Sequence, residues 1–120
     1  MTVHAIRGAT QVNANDRDLI LDAIAELVRA VLDRNALTTD DLISIVFTAT
    51  PDLDAEFPAY AARRAGITDV PMLSAVEIAV PAAMPRVLRL LAHVETERSR
   101  QDLRHVYLRG AAALPTDLPR

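Results

Sequence analysis

Apolar residues recur at Ile20, Ile24, Leu27, Val28, Val31 and Leu32, the three- and four-residue spacing of a helix that buries one face. The spacing predicts one amphipathic helix over residues 16–34. Asn15 offers an N-cap, Asp16 and Asp18 put negative charge in the first turn where the helix dipole favours it, and Asn35 ends the pattern. Ahead of it, residues 2–9 read as a short strand ending around Gly8, and residues 10–15 as a polar turn. Beyond it, Thr38 or Thr39 caps a brief turn through Asp40 and Asp41, and the β-rich run over residues 43–48 predicts a buried strand. Pro51 and Asp52 turn the chain. Residues 55–65 then predict an Ala-rich helix closed by Gly66, a residue that tolerates left-handed geometry, and residues 70–76 a short strand.

After the turn bracketed by Pro81 and Pro85, two long segments remain, residues 86–96 and 105–114, separated by the polar stretch 97–102. The first carries two readings. VLRLLAH has helical propensity, yet as a strand it places Arg89, Leu91, His93 and Glu95 on one face and Leu88, Leu90, Ala92 and Val94 on the other, a period of two. Two prolines in residues 115–120 mark a flexible tail, which leaves residues 1–114 as a single domain. The order β, α, β, α, β followed by long strands, the last over 105–114, gives an α/β or α+β class.

Composition narrows the function. The 120-residue chain is 51% hydrophobic, enough for one core and too short for two. A net charge of −3, with Arg scattered among Asp and Glu, provides no basic stripe for nucleic acid. No run approaches the length of a membrane helix, and the first residues lack a signal-peptide pattern, so a soluble cytoplasmic protein is expected. With no cysteine and no metal-ligand spacing among His4, His93 and His105, neither a disulfide framework nor a metal site is predicted. All 13 basic residues are Arg, so every cationic site is a planar fork suited to carboxylates. Ser74, His93 and an Asp form no serine-hydrolase arrangement, because no GxSxG elbow is present.

Five short runs, in order and spread over nearly the whole chain, carry a more specific signal: IRGAT at 6–10, TATPDL at 48–53, EFPAYAAR at 56–63, the segment 70–77 that ends in Glu77, and RHVYL at 104–108. Together they resemble the trimeric, pseudo-α/β-barrel chorismate mutases of the AroH type. That resemblance implies a mixed sheet of about five strands per subunit with helices outside, three such sheets closing around a shared core, and residues 86–96 as a strand. It further implies a homotrimer with sites between adjacent subunits, no cofactor, and conversion of chorismate to prephenate on the route to phenylalanine and tyrosine.

The rearrangement is an intramolecular Claisen reaction that needs shape and charge without a covalent catalyst. By motif match, Arg89 resembles the cation that bridges the ether oxygen and a substrate carboxylate, although by residue type it reads as a surface arginine. Arg7 matches a substrate-binding arginine, next to Gly8 where close approach to the backbone is possible. Glu77 matches the carboxylate that takes the substrate hydroxyl, and Tyr107 a phenol on a substrate carboxylate. Phe57 and Arg63 match residues lining the cleft from the neighbouring subunit. Leu73, Ser74 and Leu114 complete the expected lining, with Ser74 standing where the family often has Cys. His105 reads as structural.

Some positions depart from the family. The arginine of its Leu-Arg-Pro-Asp ending is absent, since Leu114 is followed by Pro115, Thr116 and Asp117, and Arg109 or Arg120 would have to compensate. Tyr60, Val76 and Ala79 make the site less polar. Two other readings fit the same chain: a non-catalytic trimeric homologue, or one recruited to a chorismate-like carboxylate in secondary metabolism. A trimer of the similarly shaped imine deaminases shares the architecture without its motifs being present.

Overall fold

The computed structural model describes residues 1–115, 117 and 118. Five strands form one mixed sheet, β1 (Thr2–Gln11), β2 (Leu42–Ala49), β3 (Met72–Val76), β4 (Val87–Thr96) and β5 (Val106–Tyr107), in the order β3-β2-β4-β1-β5. The long β4 runs antiparallel to both β1 and β2 at the centre, and β3 and β5 add parallel to the outer sides. Helices α1 (Arg17–Arg34) and α2 (Pro58–Arg64) pack on the sheet, which makes the chain an α+β domain.

β4 settles the two readings of its segment. Leu88, Leu90, Ala92 and Val94 are buried, whereas Arg89, Leu91, His93 and Glu95 are wholly or partly exposed. The period of two overrides helical propensity because tertiary burial outweighs a preference of a few tenths of a kcal/mol per residue, about 0.7 at most. α1 meets this buried face with Ile20, Ala23, Ile24, Leu27, Val28 and Val31, each large side chain contributing roughly 1.5–3 kcal/mol on burial.

Gly8 lies where α1 comes close to the sheet. A Cβ there would stand 3.2 Å from Leu27 Cδ1 and 3.2 Å from Leu90 Cγ, so the glycine serves helix–sheet packing.

Several boundaries differ from the sequence expectation. β1 continues to Gln11, and Thr10 is buried opposite Leu88 instead of turning in solvent. Asp16 is the N-cap of α1, its Oδ2 accepting from the Leu19 amide at 3.0 Å. Asn15 has a longer-range role: its Oδ1 accepts from the amides of Asp54 and Ala55, tying the start of α1 to the loop before α2. α2 begins only at Pro58, the first helical position, where a missing N–H costs nothing.

The expected long strand over 105–114 is two residues long. At Arg109, with φ +53°, the chain leaves the sheet for a 3-10 turn over Arg109–Ala113. A Cβ at Gly110 would meet the end of the Gln11 side chain, which would have to swing aside.

Candidate active site

One row of paired residues crosses all five strands: Ala75, Thr48, Arg89, Ala9 and Tyr107, from β3 through β2, β4 and β1 to β5. Since side chains alternate along a strand, all five point away from the buried face. Arg7, two residues before Ala9, shares that face and is a diagonal neighbour of Arg89. Small side chains at Ala9 and Ala75 keep the row low on either side of the central arginine.

Arg89 is anchored on one side. Its Nε lies 3.0 and 3.2 Å from the two carboxylate oxygens of Glu77, and its Nη groups carry no hydrogen bond among the described residues. Glu77 is fixed in turn by Thr48, whose hydroxyl donates to Oε2 at 2.6 Å, and by its own amide on the Ala49 carbonyl. The two charges border a hollow of about 230 Å³ beside Ile78, Val80 and Met84. Thr48 was not singled out in the sequence. Its place opposite Arg89 in the register is the signal that identifies it.

Arg7 is held by the segment 105–107 and the tail. Its amide donates to His105 Nδ1 at 3.0 Å, and its guanidinium is engaged by the Tyr107 side chain. Asp117 forms a two-point pair with the guanidinium, at 2.9 Å from Nη1 to Oδ1 and 3.4 Å from Nη2 to Oδ2. The Asp117 hydrogen bond is the main reason that the Arg7 pKa is raised, with Tyr107 adding to it. The same contact and the carboxylate's own backbone amide hold Asp117 below the usual aspartate range. Burial, then the Arg7 charge, push His105 below the ordinary histidine value.

Phe57 and Ser74 lie elsewhere. Ser74 pairs with Phe47 on the buried face, and its Oγ accepts from the Ala59 amide at 3.1 Å, satisfying the first turn of α2 where Phe57 offers no capping side chain. Ser74, Phe57, Leu53 and Val76 line a mostly apolar groove of about 380 Å³. Phe57 is 71% exposed. Arg63 is exposed in the last turn of α2, and Tyr60 packs under Arg17, 6.0 Å from ring centroid to Cζ. Leu73 projects from the face opposite to Ser74, and Leu114 is half-buried at the end of the 3-10 turn. The chain therefore presents two sets on opposite sides: Arg7, Arg89, Glu77 and Tyr107 on the open face, and Phe57 with Ser74 on the helix-bearing side.

The two expected substitutes for the missing tail arginine have different outcomes. Arg109 does not share a strand face with Tyr107. Its positive φ turns it toward α1, where Nε lies 3.2 Å from Glu26 Oε1. Arg120 lies outside the described residues, as does Thr116.

Comparison with known proteins gives a consistent result. Residues 3–118 match the family model described as chorismate mutase type I. A chorismate mutase AroH from Thermus thermophilus is 43% identical over 117 residues, spanning 97% of this chain and 96% of that protein. One from Bacillus subtilis is 33% identical over 119 residues, spanning 98% and 94%. Among solved structures, a chorismate mutase from Clostridium thermocellum superposes with a TM-score of 0.90 at 44% identity, over 92% of this chain and 99% of that one.

Proposed function

The chain belongs to the type I chorismate mutase family, and on that premise we propose that it converts chorismate to prephenate at sites built between adjacent copies of a homotrimer. The observation that carries this reading is Arg89, fixed at the middle of an open sheet face by Glu77 with its outer nitrogens available.

In the rearrangement an ether C–O bond breaks as a C–C bond forms within one molecule. Negative charge gathers on the ether oxygen, and no proton has to move. A guanidinium remains charged at any working pH. One already oriented by a carboxylate stabilises that developing charge without reorganising during the reaction. Glu77 keeps acceptor capacity beyond Arg89 and Thr48, because a carboxylate offers about four lone-pair sites, and that capacity serves the substrate hydroxyl. Arg7 binds a substrate carboxylate as a planar fork, exchanging the Asp117 carboxylate for that of the ligand. Tyr107 sits beside it and contacts the same group. Holding both carboxylates and the hydroxyl selects the folded conformer in which the reacting carbons are close.

Phe57, Arg63, Leu73, Ser74 and Leu114 line the cleft in this reading. Phe57 and Ser74 lie on the other side of their own chain from Arg89, so a neighbouring copy supplies them. The open face supports such an assembly: Val3, Leu73, Ile78 and Val80 are each more than half exposed on this face and the loop that follows it, and apolar surface in such quantity marks an interaction site. No described helix is long and apolar enough to cross a membrane. A role in aromatic amino-acid synthesis fits the cytoplasm.

The test follows chorismate absorbance with purified protein. Wild type should turn over chorismate, and Arg89→Ala should lower kcat by about 10²–10³-fold or more. Absence of wild-type turnover at millimolar chorismate would overturn the activity, and an unaffected Arg89→Ala would overturn the site.

A further inference from the structure

β5 forms only two rungs with β1, Gly8 to Val106 and Ala9 to Tyr107, after which the Leu108 amide donates to the Ala9 carbonyl. The Arg7 amide lies just past the end of this ladder. A backbone N–H at such a place needs an acceptor, and the His105 ring supplies it: Nδ1 takes the proton at 3.0 Å in place of a strand carbonyl. Two residues on, the Tyr107 side chain engages the guanidinium of the same arginine. His105, just before β5, and Tyr107 within it thus grip Arg7 at both ends, and the grip on the amide is titratable.

We propose that His105 is a positioning residue: its neutral imidazole clamps the Arg7 amide, aims the Arg7 guanidinium at a substrate carboxylate, and releases that aim when the ring is protonated. The proposal rests on the reading above in which Arg7 binds a chorismate carboxylate.

The chemistry allows one tautomer. Accepting through Nδ1 requires the ring proton on Nε2, and an imidazolium has no acceptor at all. Protonation would set an N–H against the Arg7 N–H and add a second cation beside the guanidinium. The surroundings oppose that. Burial and the Arg7 charge both disfavour the imidazolium, and the Asp117 carboxylate only partly offsets them. His4 of β1 and Arg100, in a 3-10 turn over Arg100–Asp102, line the same hollow of about 470 Å³. Neither brings a negative charge to the ring.

The experiment measures KM and kcat for chorismate between about pH 5 and 8 in wild type, His105→Ala, His105→Asn and Arg7→Ala, with thermal melts to confirm folding. Wild-type KM should rise as pH falls below the ordinary histidine range, approaching about tenfold per unit, with kcat changing less. His105→Ala should raise KM about five- to tenfold at neutral pH and remove the acid limb. His105→Asn carries a non-titrating carbonyl near the Nδ1 position, so it should recover most of that loss and also lack the limb. If His105→Ala does not fold, His105→Asn still carries the pH test. An acid limb that persists in His105→Asn while Arg7→Ala raises KM overturns the role of His105 alone. An unchanged KM in Arg7→Ala overturns the Arg7 reading beneath it.

Discussion

Replacing Asn35 by alanine should unsettle the active site from a distance, and its cost can be worked out bond by bond. Asn35 is completely buried at the C-terminal end of α1. Its Nδ2 donates to the Val31 carbonyl at 2.8 Å and the Arg104 carbonyl at 3.0 Å, while its Oδ1 accepts from the Arg104 amide at 2.6 Å. The side chain therefore grips the backbone of Arg104 at both of its polar groups, immediately before His105 and Tyr107. Alanine removes both inter-element bonds and leaves an amide and a carbonyl without partners. Two bonds at about 0.5–1.5 kcal/mol each, with stranded groups adding about 1–3, give a loss of roughly 2–6 kcal/mol. For a domain of this size that lowers Tm by roughly 10 °C or more. Urea denaturation at one fixed protomer concentration measures it, because assembly would make stability concentration-dependent. Amide exchange at Arg104 should speed up in the folded state. A loss under about 1 kcal/mol, or unchanged exchange at Arg104, would refute the view that Asn35 holds β5 in place.

Two further outcomes are expected. Gly8→Ala pushes a methyl against Leu27 and Leu90, both 3.2 Å away, and should cost about 1–3 kcal/mol by overpacking, read as a lower urea midpoint at unchanged slope; an unshifted midpoint would show that α1 has room to move. Asp117 binds its proton more weakly when docked on Arg7 than when free, so docking is complete above the ordinary aspartate value and lost as pH falls through the depressed one. A carboxyl-carbon NMR titration should place that inflection below the usual range, and Asp117→Asn should lower KM for chorismate by removing a competing carboxylate, whereas a raised KM would mean the tail aids binding.

The parts of the fold legible in the sequence were those governed by local pattern. α1 follows from the spacing of its apolar residues, and the alternation around Arg89 gave the two faces of β4 even while propensity argued for a helix. The segment after Tyr107 departs from its strand pattern because its geometry depends on Arg109 adopting a positive φ and on Gly110 lying against Gln11, a contact across the chain. The site divides in the same way. Arg7, Glu77 and Tyr107 stand in short runs that motif matching finds, Arg89 is matched on the segment between two of those runs, and the fold gathers all four on one face. Their supports do not announce themselves: Thr48 meets Glu77 from 29 positions away, Asn35 meets Arg104 from 69, and His105 meets Arg7 from 98. Register and helix docking create those contacts, and no local spacing encodes them.

The division of the site residues between opposite sides of the sheet also has a genetic meaning. In the proposed assembly, a lesion at Arg89 and a lesion at Phe57 would spoil different halves of every site formed between copies. A cell expressing both defective chains would assemble them at random, and about one site in four would combine two sound halves. Each allele would then cover for the other, while the same two lesions on one gene would leave nothing to recover. Fitness at this locus would then belong to the pairing of copies, and selection on either half would act through its neighbour.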